Sequence, residues 1–515
     1  MAQQLYFSRD AKLYIELKNG AGVHQGIWEV PVLDGFSFSQ ATNTSDIGLQ
    51  EMESISGISR RGRRLFTDSL APAEWSFSTY IRPTLKSTTE HHLVDEVLWA
   101  AIAGADTKTG LVESGDWSRT TNPASGDGNP DVVYDVQDGT VQGPGAGGIL
   151  DFTQSNRSIL PELTLYFVFE TSTTAPMVYK MDKAAVNEVS IDFDVDGIAT
   201  ANWSGFAKEI FDLQSAGKVE IAGSSPVTDG TYDVWLNNSA DNILSVLAGG
   251  AWKLAYNTGV TSTSNFIRNR VTQLKVQGKN TDVLPGIQIT IDDISSATDG
   301  VISTTTAHNL EVGDTVTISG VVDDDAGGGD LDDLFNTTHT VATVPDATSF
   351  TVGINTSGLD GYVSGGTGIT GKYVFTLTGG NVTISNNITY LVPEEIGTIN
   401  KPLDAVTGSR AIGGNFNCYL SFDDTAGSQG NSAQFFADLS DPAKGLTKVV
   451  NNFDVTFRVG GNTASTPRMY LNCPKVHIDV PVHSIEDVIS LEAGFGAYTE
   501  DFNTVDEFNL EVYGV

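Results

Sequence analysis

The sequence predicts a mainly β protein: an antiparallel β-sandwich core with one flanking α-helix, plus inserted all-β modules. Three observations carry this expectation. Apolar residues recur with a period of two in most segments able to form regular structure, a single segment carries a helical stripe, and glycine-rich or acidic runs interrupt the pattern. At 515 residues the chain exceeds one compact core, since a typical domain holds roughly 100 to 200 residues. Its apolar fraction of 40% is sufficient to bury real cores.

Taken in chain order, KLYIEL (12–17) places Leu13, Ile15 and Leu17 on one side, and EWSFSTYIR (74–82) does the same with Trp75, Phe77, Thr79 and Ile81. One helix is predicted over 90–103, EHHLVDEVLWAAIA, where Leu93 and Val97, then Val94, Leu98 and Ile102, form an apolar stripe and Gly104 is the stop. PELTLYFVFE (161–170) is apolar on both sides and reads as a central strand. EVSIDFDVDGIAT (188–200) reads as a hairpin with a tight two-residue turn at Asp196-Gly197, and Ile191, Phe193 and Val195 inward. The closing strands are FDVTFRV (453–459), MYLNC (469–473), KVHIDVPV (475–482) and EFNLEVYGV (507–515).

Shifts of composition divide the chain. The core is expected in three parts, 1–104, 151–211 and 371–515. Between them stand a loop-rich insert at 105–150 with SGDGNP and GPGAGG, a mixed β insert at 212–285, and an acidic small β module at 286–370. Residues 280–371 contain no Lys or Arg, which marks that module by charge alone.

The formal net charge is -35, from 29 Lys plus Arg against 64 Asp plus Glu, and such a polyanion repels phosphate backbones, so sequence-specific DNA binding is excluded. Two cysteines, Cys418 and Cys473, cannot make a disulfide scaffold and read as buried thiols. No basic start with an apolar core opens the chain and no stretch reaches the length of a membrane span, so the expectation is a soluble protein made in a cytosol.

Motifs that carry chemistry are scarce. Gly143, Gly145 and Gly148 satisfy G-x-G-x-x-G, but Pro144 interrupts the motif and no strand and helix flank it. His91 and His92 are adjacent and point apart, so they do not share a metal. The run DDDAGGGDLDD (323–333) offers Asp323, Asp325 and Asp330 as oxygen ligands for Ca²⁺, yet the twelfth position of an EF-hand loop from Asp323 is Leu334; a solvated acidic loop is the simpler reading. Neither cofactor nor catalytic constellation emerges, and the chain reads as a non-enzyme. Arg60, Arg61, Arg63 and Arg64 concentrate cations within five positions of an acidic chain. They are candidates for intersubunit contact with carboxylates, with a solvated loop or DNA contact as alternatives.

The succession RDAKLYIEL (9–17), IWEVPVLDGFSFSQATNTSDI (27–47), SRRGRRLF (59–66), APAEWSFSTYIRP (71–83), HLVDEVLWAAI (92–102) and VNEVSIDFDVDGIATANWSGFAKEI (186–210) resembles the tail tube proteins of tailed bacteriophages. The ending KVHIDVPVHSIEDVISLEAGFGA with DEFNLEVYGV is similar to the closing strands of that family. Within the acidic segment, VISTTTAHNLEVGDTVTISGV (301–321), HTVATVPDATSFTV (339–352) and YVSGGTG (362–368) resemble a small β-barrel module of phage virion proteins. That module is named for a catalytic-cysteine half-domain of ubiquitin-activating enzymes; without a cysteine here, no such chemistry transfers.

The resemblance implies a structural virion protein, assembled in the host cytoplasm, that forms stacked hexameric rings and meets other tail proteins. The genome would pass through the lumen without specific binding, and residues 40–66, with the arginines, would be a loop touching the next ring. The acidic module would be an outer knob that obstructs a close-fitting sheath, which points to a non-contractile tail. A second class stays open, a β-modular adhesin or decoration protein binding host surface glycans, with Trp117, Trp235 and Trp252 as stacking candidates.

Overall fold

The structure, a computed structural model, describes residues 6–18, 24–47, 64–85, 91–103, 118–121, 130–133, 148–152, 160–169, 176–194, 197–213, 219–222, 234–237, 243–248, 251–255, 262–278, 286, 288–325, 329–392, 401–422, 431–440, 452–461, 463, 465–485, 488–499 and 507–515. It is mainly β and antiparallel, as the period-two patterning requires.

The first half of the chain contributes β1 (Ala11–Lys18), β2 (His24–Val30), β3 (Ser37–Ile47), β4 (Arg64–Tyr80), α1 (Glu96–Ala103), β5 (Glu162–Phe169), β6 (Met177–Asp192), β7 (Thr200–Ala207) and β8 (Glu209–Asp212). β1 pairs with β2 and β5, β5 with β6, β6 with β7 and β8, β7 with β4, and β4 with β3. β5 is central, as its two apolar sides predict. Leu163, Leu165 and Phe167 enter the main core, while Tyr166 and Val168 meet Val234, Leu236, Leu244 and Val246 of a four-stranded sheet drawn from residues 219–254.

The second half supplies β9 (Gln273–Gly278), β10 (Lys372–Ser385), β11 (Ala411–Tyr419), α2 (Ser432–Leu439), β12 (Phe453–Val459), β13 (Arg468–Ile478), β14 (Val482–Ile485), β15 (Ile489–Ala497) and β16 (Asn509–Tyr513). Its ladder repeats the first. β9 pairs with the start of β10 and with β12, β12 with β13, β13 with β15 and β16, β15 with β11, and β11 with the end of β10. Every pair of the first half has its counterpart: β10 stands for β2 and β3 in one strand, and β13 with β14 stands for β6. The chain is therefore an internal repeat, with a helix at the same place in each copy. Residues 262–278, in the stretch that composition sets apart as 212–285, supply β9 to this repeat.

One cross-strand pair shows how the repeat is packed. Gly205 of β7 faces Trp75 of β4, and a Cβ on Gly205 would stand 2.4 Å from the indole ring. At the matching pair the large side chain has changed sides, with Phe495 of β15 facing Gly414 of β11. Volume is kept across the ladder while both residues change, as close packing demands.

The halves join edge to edge. Glu188–Asp192 of β6 pairs antiparallel with Asn381–Ser385 of β10, and one buried cluster runs through both, from Trp28, Trp75 and Trp203 to Phe375, Phe416, Phe457 and Phe495. Arg410 of the second half donates to the Ala103 carbonyl at 3.0 Å and Asn386 to Ile102 at 3.1 Å, so carbonyls that end α1 are satisfied by the other half.

Three expectations change. The helix begins at Glu96 rather than 90, because His91–Leu93 pairs as a strand with Pro83–Leu85 and Asp95 accepts the first helical N–H groups on its carbonyl, from Leu98 and Trp99. The 188–200 hairpin closes through a longer connection, since its last pair is Asp192 with Thr200; beyond it Phe193 N–H bonds Gly380 and Ala199 N–H bonds Ile267, both in the second half. Asp196 lies outside the described residues and Gly197 does not adopt positive φ. The single flanking helix is joined by α2 and by the short Leu331–Phe335.

Residues 288–369 form a seven-stranded sheet around their own core of Ile291, Ile302, Val316, Ile318, Phe335 and Phe350. Its ends meet: a Cβ on Gly286 would lie 2.8 Å from the Gly371 nitrogen. Lys275 of β9, Lys372 of β10 and Arg458 of β12 converge on Glu311 and Asp314 of this module, so a compact charge cluster fastens it to the second half.

Candidate assembly surface

β3 and β4 run out past the body as a two-stranded arm. Thr42–Ser45 and Leu65–Asp68 are exposed along it, and Leu65 and Phe66 remain 65% and 61% accessible. Gln40 anchors the base, donating to Ala71 O at 2.9 Å and Lys208 O at 3.0 Å while accepting from Ile210 N–H at 3.1 Å. Higher up, Asn43 bonds Ser69 and Ser45 bonds Asp68. Arg64 opens β4 opposite Ile47, at the arm's far end. Arg60, Arg61 and Arg63 lie outside the described residues, in the segment joining the two strands.

At the other end of the repeat, β14 pairs only with β15 among the described residues and carries exposed apolar side chains. Val482 and Ile485 are exposed, as are Val480, Val488 and Phe422 nearby. A cleft of about 480 Å³ lies beside them, lined by Thr378, Asn417, Tyr419, Val482, Val488 and Glu492. Among the described residues β3 likewise pairs on one side only, with β4. The sequence marks 475–482 and its neighbours as closing strands, but alternation alone does not tell a buried apolar side from an exposed one.

The remaining candidates have local roles. Asp323 accepts N–H bonds from Leu331 at 2.8 Å and Asp332 at 3.2 Å, and the Asp332 N–H foremost holds its carboxylate below the usual range; it serves the start of a short helix. Asp330 is raised, chiefly by Asp333, and Asp325 sits at positive φ. Among the described residues no group of three His, Cys, Asp or Glu is arranged to hold a metal. Trp235 is buried within its sheet and offers no face to a sugar, Trp252 is half-buried, and Trp117 lies outside the described residues. Cys418 and Cys473 are buried apart, and burial pushes the Cys418 thiol up to about 12. No helix among the described residues is long and apolar enough to cross a membrane.

The sheet that joins the two halves therefore ends on two strands, β3 and β14, each paired on one side only among the described residues, with an apolar rim beside β14. No family model matches the chain. Over nearly its whole length the chain is similar to a phage tail tube protein. It is 20% identical over 507 residues to Tail tube protein pb6 of Escherichia phage T5, an alignment covering 98% of this chain and 75% of pb6. The similarity runs through both halves of the repeat and the acidic module inserted between β9 and β10 of the second, so the two-half plan as a whole falls within the match.

Proposed function

We propose that this chain is a structural, non-enzymatic subunit of a bacteriophage tail tube, polymerising into stacked rings that conduct DNA into the host. The similarity to pb6 across 98% of the chain is the observation that carries this reading. The open strands β3 and β14 support it, since an unpaired edge is an aggregation hazard unless a neighbour satisfies it. Because each chain holds two tube units, a ring of six units is made by three chains rather than six. The net charge of -35 suits a conduit, because carboxylates facing a lumen repel the phosphate backbone and leave DNA free to slide.

The acidic module, on its own core and its buried charge cluster, is the outer knob of this tube, a small β-barrel decoration. Assembly takes place in the host cytoplasm and the product belongs to the virion tail, where it meets other tail proteins. Negative-stain images of the purified protein test the reading. Rings or tubes with three large lobes around the lumen are expected; particles that stay monomeric at high concentration, together with hits on a glycan array, would favour the decoration reading instead.

A further inference from the structure

The two halves carry their inserted modules on the same face. A shared irregularity fixes the alignment: the β5–β6 ladder shifts register between Leu163 and Leu165, and the β12–β13 ladder between Phe453 and Val455. Val168 therefore aligns with Arg458. Leu163 pairs with Leu17 and Phe453 with Gly278, which aligns Tyr14 with Lys275 and Glu16 with Gln277. Glu16 in turn pairs with Ile27 and Gln277 with Lys372, so Ile27 aligns with Lys372.

The alternate residues of these strands, Leu13, Ile15 and Phe167 in one half and Leu274, Val276 and Phe457 in the other, enter the main core, so the three aligned positions share the opposite face. In the first half that face is apolar: Tyr14, Ile27 and Val168 are buried against Val234, Leu236, Leu244 and Val246 of the sheet drawn from residues 219–254. In the second half it is cationic: Lys275, Lys372 and Arg458 meet Glu311 and Asp314 of the acidic module. Gln277 adds hydrogen bonds from its amide to Thr315 O at 2.9 Å and Thr370 O at 3.1 Å. The chain reaches the two places by different routes. The first insert stands between β8 and β9, and the acidic module between β9 and β10, a connection matched in the first half by residues 19–23 alone. Duplication of an insert does not account for the coincidence, because the two share neither place in the chain nor sheet topology.

We propose that this face of the repeat is a docking seat for accessory modules, and that the side chains at 14, 27 and 168, or at 275, 372 and 458, select the occupant. The acidic module on the first seat would bury Glu311 and Asp314 against Tyr14, Ile27 and Val168 with no counter-charge. The apolar sheet on the second would strand three cations. Desolvation penalises each mismatch, so selection works by exclusion as much as by attraction. The two occupants also depend on their seats to different degrees. The first insert draws its apolar core, Val234, Leu236, Leu244 and Val246, from the cluster it shares with the seat, whereas the acidic module has a core of its own. Loss of docking therefore opens the sheet of the first insert and frees only the ends of the second.

Hydrogen exchange on the full chain tests the selection. Ile27→Lys/Val168→Arg should speed exchange at Val234–Asn237 and Ile243–Ala248 roughly tenfold, while Thr315–Asp323 of the acidic module and Leu163–Phe167 of β5 keep their protection. Lys372→Ile/Arg458→Val should do the reverse, opening the acidic module's ends near Gly286 and Gly371 to protease and leaving Val234–Asn237 protected. The conservative pair Ile27→Val/Val168→Ile should behave as the native chain. Unchanged exchange at Val234–Asn237 in Ile27→Lys/Val168→Arg, or an equal rise there and in the acidic module, overturns the selection. If that variant does not fold, Val168→Arg alone is measured in the same way, and unfolding of the whole chain by this one change overturns the seat by placing Val168 in the core of its own half. Rings and tubes are not part of the readout, so their absence from the native protein counts against the tail tube reading alone.

Discussion

Lys372 Nζ donates to Asp314 Oδ2 at 2.8 Å with both side chains almost wholly withdrawn from water, and Lys275 reaches the other Asp314 oxygen. The first residue of β10, just past the acidic module, is thus held by a residue inside it. Lys372 also donates to Asn309 O at 2.9 Å, while Asp314 accepts the Glu311 N–H at 2.8 Å, so the cluster is hydrogen-bonded beyond its charges. A buried cluster of this kind fixes orientation more than it adds net stability.

Asp314→Asn should therefore be costly. It leaves two buried lysines short of a counter-charge, and breaking a buried pair from one side costs about 3–5 kcal/mol. Urea unfolding of the purified protein should show the loss, and a change below about 1 kcal/mol would mean the cluster is solvated.

The same residue sets a pH dependence. Burial works to raise the Asp314 carboxyl, but Lys275 and Lys372 outweigh it and hold it at about 2. Its folded value is depressed, so its contribution is fully present above the ordinary carboxylate range near pH 4 and is lost as pH falls towards 2. Protease susceptibility at the module's ends, near Gly286 and Gly371, should rise in that window in the native chain and be flat there in Asp314→Asn.

Asp95 is expected to behave in the opposite sense. Burial pushes its carboxyl up to about 6 against the hydrogen bond from Thr79 at 2.6 Å, and its Oδ1 is buried with no hydrogen-bond partner among the described residues. A folded value raised above the unfolded one means the native state binds the extra proton, so stability falls as pH rises from about 4 to 6. In Asp95→Asn that slope should vanish, and the variant should unfold at higher urea than the native chain at pH 8. An unchanged slope would show that Asp95 stays ionised.

Removal of the module tests its placement. Because Gly286 and Gly371 adjoin, joining them through a short Gly/Ser linker should leave the second half folded, with Lys275 and Lys372 now in water rather than stranded. The product should form tubes of unchanged inner and reduced outer diameter by electron microscopy, and should lose less stability than Asp314→Asn. A wider lumen would place the module inside.

Replacing Arg60, Arg61, Arg63 and Arg64 together with Ser should shorten tubes while leaving the melting temperature within about a degree, since exposed charges add little to folding. Unaltered polymerisation at low and high salt would remove these residues from the ring contact.

The sequence by itself determined the strands, because a period of two is a local property: Leu13, Ile15 and Leu17, or Trp75, Phe77 and Thr79, need only one buried side to be legible. The absence of Lys and Arg from 280–371 is likewise a property of the sequence alone. What only the tertiary structure decided is the repeat and the surfaces it exposes. The two halves share a ladder rather than residues, and the exchange of Trp75 and Gly205 for Gly414 and Phe495 keeps volume while erasing identity. The turn after Asp192 was likewise settled at a distance, by hydrogen bonds from Phe193 and Ala199 to the other half. Ile485 and Phe193 are both apolar, one the last residue of β14 and the other the first beyond β6, and only the presence or absence of a neighbouring half makes one exposed and the other core. Burial belongs to the assembled fold, and no local pattern encodes it.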